Sequence, residues 1–335
     1  YSFVVVLNSY CDVYEELNKR GITTYISKYG STSKLINILN HLTLPLKYIF
    51  ILLKEKPDII YANNVMAAKS GVLFKYLSFK PLIIHIRNVG FFKRTKFFCL
   101  LADHFLCVSE YCLINTLPSN QHSKAHIIYD GVDMNKFSNV TNTFREYKKE
   151  PGDIVIGMVG RITPQKGQDY FVKLAGNLSN KYPNLIFVHC GELPSHQDSE
   201  YASNLIKNSD NLVCSKNFFW FDYSNSIENF WGLVDISITP SQDDEAFGRV
   251  IIEAMSAKIP IITTDSGGPS EIIENNVTGI CVPKHNYLAL ELAIEKLLLD
   301  IELREKFIKK GLNLVEQKFS LDSYANQFLK IIRTI

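Results

Sequence analysis

Short apolar runs alternate with longer segments of helical spacing along the whole of this 335-residue chain. Candidate strands are Phe3–Leu7, Thr24–Ile26, Ile59–Tyr61, Leu82–Ile86, His104–Val108 and Ile127–Tyr129. A second series comprises Ile154–Val159, Leu185–His189, Leu212–Cys214, Ile236–Thr239, Ile259–Thr263 and Gly279–Val282. Their β-branched, continuously apolar character suits parallel strands covered on both faces. Strands alternating with helices predict an α/β fold, a doubly wound parallel sheet built twice. The boundary is expected between 131 and 153, where the charged run Arg145–Lys149 precedes Pro151-Gly152. This divides the chain into domains 1–150 and 151–319. A last helical pattern, 320–335, opens on a Ser320 cap and has no strand after it, so it can pack on either domain.

The length agrees with two domains, because it exceeds what one hydrophobic core usually serves. With 46% hydrophobic and 21% charged residues the composition is ordinary for a globular protein. A net charge of +2 does not mark a nucleic-acid binder, which needs a clustered basic face. Seven scattered cysteines without a CxxC pair fit a reduced compartment better than a disulfide framework or a zinc site. No apolar run reaches the roughly 18–20 residues that span a bilayer. The best, Leu42–Leu53, is interrupted by Pro45 and Lys47 and reads as a helix packed on a core. No signal peptide is visible, and the chain opens on Tyr1 directly before a strand, so the natural N-terminus is expected to extend further.

Two strand–loop–helix segments carry the most chemistry. In Gly157–Gly167 the strand ends at Val159, and the loop delivers Gly160, Arg161 and Lys166 near a helix start. Helix N-termini offer free N–H groups and partial positive charge to an anion. Arg161 can clamp a phosphate bidentately and Lys166 can add a point charge. The alternative is two solvated loop cations beside turn glycines. In Pro240–Met255, Glu245 and Glu253 stand eight positions apart, the first in a loop and the second in the helix that follows. Eight helical steps would span about 12 Å. A retaining hydrolase pair sits only ~5–5.5 Å apart, so these two suit opposite ends of one elongated ligand instead. A carboxylate accepts readily from a vicinal diol such as a ribose. Phe247, Gly248 and Arg249 leave backbone N–H groups at a helix start, suited to a diphosphate. The alternative here is one surface carboxylate and one acid that complements the helix dipole.

Other segments stay open between two readings. Gly267-Gly268 with Glu271 lets the backbone approach a ligand, or makes a tight turn with Glu271 near a helix cap. His85 ends a strand, where it can serve a sugar or a proton transfer, or be structural. Asn63 and Asn64 occupy a similar edge. Arg87–Leu101 mixes four cations with four phenylalanines, a membrane-surface patch or a loop and helix with aromatics in the core.

Taken together these residues resemble the GT4-type, GT-B-fold retaining glycosyltransferases over nearly the whole chain. The resemblance rests on Ile127–Phe137, Gly160-Arg161 with Lys166-Gly167, Pro240-Ser241, the Glu245/Glu253 element and Gly267-Gly268 with Glu271. It implies two Rossmann-like domains facing a cleft. Residues 1–150, completed by helix 320–335, would take the acceptor, and 151–319 the nucleotide-sugar donor. Arg161 and Lys166, on the Gly160 loop, would bind the donor diphosphate and Glu253 the ribose. Glu245 would contact the transferred sugar, Phe247, Gly248 and Arg249 would line sugar and phosphates, and His85 would stand near the sugar. A sugar would pass to a glycan or lipid-linked glycan with neither metal nor cofactor, in the cytoplasm, with peripheral contact at the inner membrane face and no nucleic-acid partner. The family's first strand and glycine-rich loop would lie before Tyr1. Gly191-Glu192-Leu193-Pro194 lacks a second glycine usual in the family, and Asp222 stands where a glycine is usual. These departures leave a catalytically silent nucleotide-sugar-binding homologue as the alternative, beside an epimerase or a phosphorylase.

Overall fold

The computed structural model describes residues 2–7, 11–27, 34–90, 96–138, 147–192, 199–212, 216–224 and 226–335. The chain divides into two compact units, Tyr1–His85 with Phe92–Leu106, and Ile86–Phe91 with Cys107–Ile335. Residues 107–138 and 147–150 therefore pack with the second unit, although their strand and helices continue the first series.

Strands β1 (Val4–Leu7) and β2 (Thr23–Ile26) of the first unit pair in parallel. Beside them in sequence follow β3 (Ile60–Ala62), β4 (Leu82–Ile86) and β5 (His104–Cys107), with β3 parallel to β4. Every residue of β4 is buried, as a continuous Leu-Ile-Ile-His-Ile run requires when both faces are covered. The helix Lys34–Glu55 packs on this unit through Tyr48, Ile51 and Leu52. As expected for Leu42–Leu53, this is a helix packed on a core, although not with every apolar side chain. Leu46, Ile49, Phe50 and Leu53 are exposed. No helix among the described residues is long and apolar enough to cross a membrane.

The second unit begins its strands with β6 (Ala125–Ile127), two residues earlier than expected at Ile127–Tyr129. Its main sheet contains β7 (Ile154–Val159), β8 (Leu185–Cys190), β9 (Phe218–Phe221), β10 (Ile236–Thr239), β11 (Ile261–Thr264) and β12 (Ile280–Val282). The order is β12-β11-β10-β7-β8-β9, and the paired strands run parallel. The chain winds outward from β7 to β9, returns to lay β10 beside β7, and winds outward the other way. Such an order places a topological switch between β7 and β10. Of the expected strand Leu212–Cys214, positions 213 and 214 lie outside the described residues. Leu212 ends the helix Ser199–Leu212, and the strand is the aromatic run Phe218–Phe221, which packs well on a pleated surface. Ile156, Phe171, Phe187, Ile238, Ile262 and Ile294 are fully buried in the core between sheet and helices.

The last helix, Leu321–Ile332, is capped by Ser320, whose Oγ accepts from Ser323 N–H at 3.2 Å. Its start is tied to the segment after β6. Val132 N–H donates to the Phe319 carbonyl and Leu321 N–H to the Val132 carbonyl.

Candidate functional site

Two loops leave the sheet of the second unit at the switch point, one after β7 and one after β10. The first turns through Pro164–Lys166 into the helix Gln168–Lys181. Gly167 joins them with φ +76°, and a Cβ there would lie 2.0 Å from the Pro240 carbonyl oxygen. Only glycine allows that backbone-to-backbone approach. Three further bonds stitch the loops together. The Gln165 carbonyl accepts from Gln242 and Asp243 N–H, and Gln165 Nε2 donates to the Asp244 carbonyl.

The stitching brings charges together. Lys166 Nζ lies 2.5 Å from Glu245 Oε1, and Ser241 Oγ donates to Glu245 Oε2 at 2.9 Å. Sequence reasoning assigned Lys166 and Glu245 to one site but not to each other. Arg161, on the same loop, is exposed. Gly160 fixes the loop's base, its N–H donating to the Cys190 carbonyl. Beneath it, Gln168 Nε2 donates to the Arg161 carbonyl at 2.7 Å. His189 is fully buried there, and burial pushes its pKa down to about 3, so it stays neutral.

Gly248 caps the helix Arg249–Ser256 in a left-handed conformation, φ +102°. Arg249 is exposed on the first turn, 3.6 Å from Glu253 one turn later. Burial raises the pKa of Glu253, against the opposing charges of Arg249 and Lys136. The Phe247 side chain does not line an open site. It is buried, stacked on Tyr129 and tilted against Phe319, and leaves only its backbone toward the loop.

The loop after β11 behaves differently. Its two glycines make room for the protein's own chain, not for a ligand. A Cβ on Gly267 would meet the Tyr111 ring at 2.6 Å, and one on Gly268 would meet the Ala246 carbonyl oxygen at 2.3 Å. Glu271 does not cap its own helix. Its carboxylate accepts from Glu110 N–H at 2.9 Å, Tyr111 N–H at 2.6 Å and Tyr129 Oη at 3.2 Å. It thereby caps the helix Glu110–Thr116, whose N-cap Ser109 donates to the Ala246 carbonyl. Local sequence carries no signal of this, since the partners lie 142, 160 and 161 positions away. Asp244, also missed, pairs with Lys284 at 2.8 Å, and that bond with a second from Tyr111 holds its carboxyl below the usual range. Burial and the same Asp244 contact push the Tyr111 hydroxyl up to about 12.

His85 belongs to the first unit. It is fully buried in β4, with Nδ1 2.5 Å from the Tyr61 hydroxyl. Asn64 is a helix cap, its Oδ1 accepting from Ala67 N–H. Of the basic–aromatic segment Arg87–Leu101, residues 91–95 lie outside the described residues. Arg87 pairs with Asp130 at 2.8 Å, Phe97 is exposed and Cys99 is buried. Among the described residues no group of three or more His, Cys, Asp or Glu could hold a metal ion.

A family model for glycosyl transferases group 1 matches residues 139–314, which include both switch-point loops. The chain belongs to the glycosyl transferases group 1 family. This group 1 glycosyltransferase is 28% identical over 314 residues to the capsular polysaccharide biosynthesis glycosyltransferase CapM of Staphylococcus aureus, covering 85% of this chain and 80% of CapM. It is 25% identical to an Escherichia coli UDP-Gal:alpha-D-GlcNAc-diphosphoundecaprenol alpha-1,3-galactosyltransferase over 69% of this chain and 64% of that one. Its fold is GT-B, α/β with Rossmann-like domains. The crystal structure of Anabaena Alr3699/HepE in complex with UDP superposes with a TM-score of 0.86 at 19% identity, covering 99% of this chain and 92% of that one.

Proposed function

We propose that this glycosyltransferase moves a sugar, with retention at the anomeric carbon, from a nucleoside-diphosphate sugar to a glycan or lipid-linked glycan, without a metal ion or another cofactor. The observation that carries the reading is the pairing of Lys166 with Glu245 on two loops stitched together at the switch point, where open α/β sheets bind ligands. An incoming diphosphate takes Lys166 from Glu245, and the released carboxylate accepts from hydroxyls of the transferred sugar. Arg161 adds a bidentate phosphate contact and Arg249 a second cation at a helix start. Glu253 holds the ribose, while Gly160, Gly248 and the backbone of Phe247 let the chain approach the donor. Cations at the leaving diphosphate stabilise its charge in place of a divalent ion. The sugar C1–O bond to the diphosphate breaks, a C1–O bond to the acceptor forms on the same face, and the acceptor proton passes to the leaving phosphate oxygen. His85 belongs to this reading as a catalytic residue of the acceptor domain. The functional domains are 1–150 with 320–335 for the acceptor and 151–319 for the donor.

UDP is the first nucleotide to try, because HepE binds UDP and UDP-glucose. CapM, named for capsular polysaccharide biosynthesis, and the galactosyltransferase, named for a diphosphoundecaprenol-linked sugar, support a polysaccharide or lipid-linked acceptor. The test is product analysis with UDP-sugars, glycan and polyprenyl-diphosphate acceptors, and EDTA present. Proton NMR should show a product with the donor's anomeric configuration. An inverted product, or turnover lost with EDTA and restored by magnesium, would overturn the mechanism. Donor binding without any transfer would mark a silent homologue.

A further inference from the structure

The helix Lys34–Glu55 is apolar on two faces. One face is buried in the first unit, where Tyr48 stacks on Phe74 and hydrogen-bonds Ser70. The other carries Leu46, Ile49, Phe50 and Leu53, exposed at 67%, 38%, 59% and 71%. Their spacing of i, i+3, i+4 and i+7 sets them in one stripe two turns long, about 10 Å. An exposed apolar stripe rimmed by charged residues marks an interaction surface, so this stripe demands a cover. Lys47 and Lys54 stand seven residues apart on one edge of it, both exposed. Their aliphatic stems can lie along an apolar surface, and the Lys54 ammonium stands 5.6 Å from the Tyr25 ring centroid and 3.9 Å from Glu55, on the exposed side of the helix.

Charge decides what covers it. The first unit has 13 Lys and Arg against 6 Asp and Glu, a net +7, whereas the second has 23 against 28, a net −5. A second copy meeting this face symmetrically would set one basic unit against another. An anionic lipid surface has the opposite sign and an apolar layer beneath its headgroups.

We infer that the stripe Leu46–Leu53 with Lys47 and Lys54 is an interfacial docking surface for an anionic lipid bilayer. The apolar side chains enter the headgroup–acyl boundary while the lysines meet lipid phosphates. This names the partner of the membrane contact in the reading above and rests on that reading only for its purpose, access to a lipid-linked acceptor.

The test is sedimentation of the full chain with vesicles of phosphatidylcholine alone or mixed with phosphatidylglycerol. The wild type should bind the anionic vesicles and release them at high salt. Leu46→Ser/Phe50→Ser/Leu53→Ser should abolish binding, and each of Lys47→Gln and Lys54→Gln should weaken it about fivefold. The thermal shift with UDP should be unchanged in all of them, which separates lost docking from lost folding. A missing UDP shift in every protein, with vesicle binding intact, would count against the donor reading alone. Absence of vesicle binding, or equal binding by wild type and triple-serine variant, would overturn the inference. So would a dimer in solution that the triple-serine variant dissolves, because a second copy would then be the cover.

Discussion

The loops after β10 and β11 leave neighbouring strands of one sheet at the same end, and both contain glycine and glutamate. Their fates differ. After β11, Glu271 is fully engaged by two backbone N–H groups and a tyrosine hydroxyl, and both glycines pack against the chain itself. After β10, Glu245 is held by a lysine and a serine side chain, groups that a charged ligand can displace. A strand's C-terminal end offers a place for a site, but only charges not satisfied by main chain can serve one. Backbone bonds make the loop after β11 scaffold, and exchangeable side-chain bonds make the switch-point loops the candidate donor site.

The largest expected effect separates these roles directly. Glu253→Ala should weaken UDP binding about 10- to 100-fold by calorimetry, the loss of a hydrogen bond to a charged group, and should leave the fold intact. Glu271→Ala should do the reverse. Urea unfolding should show a loss of about 0.5–2 kcal/mol from two helix-start N–H groups deprived of their cap, with UDP affinity unchanged. A glutamate of the β11 loop that governed affinity and not stability would erase the contrast.

A pH series sharpens it. Burial raises the folded-state pKa of Glu253. For such a carboxyl the favourable contribution is present below the unfolded pKa and lost as pH rises through the folded one. Glu253→Gln should therefore raise Tm at pH 8, leave it unchanged near pH 4, and still bind UDP poorly, a stability gain at the expense of the site. The smallest effect is expected at the Asp244–Lys284 pair, whose side chains are 43% and 31% exposed. Lys284→Ala should cost less than about 1 kcal/mol in the same unfolding assay.

Sequence pattern was sufficient where burial alone shapes an element. Strands β4, β7 and β10 were legible to the residue, because strands covered on both faces are rich in isoleucine and other β-branched side chains. It failed at β9, where the aromatic run Phe218–Phe221 was passed over for the segment Leu212–Cys214, whose first residue ends a helix. At the site, Lys166 and Glu245 were legible as charges beside helix starts. Their mutual pairing was not, since they are 79 positions apart and meet only through the close approach at Gly167. Phe247 was legible for its backbone N–H at a helix start, but not the place of its ring, which belongs to an aromatic cluster with Tyr129 and Phe319 from distant segments. Glu271 shows the same limit, since its role depends on backbone groups of a helix much earlier in the chain.

The most direct measurement is calorimetric titration of UDP, in EDTA, into the wild type, Lys166→Ala and Glu245→Gln. UDP has the diphosphate but no transferred sugar. If the Lys166–Glu245 pair opens to admit the donor, Lys166→Ala should lose about 10- to 100-fold in affinity while Glu245→Gln keeps or gains affinity, its lysine already released. Unchanged affinity in Lys166→Ala, or equal losses in both variants, would contradict the account.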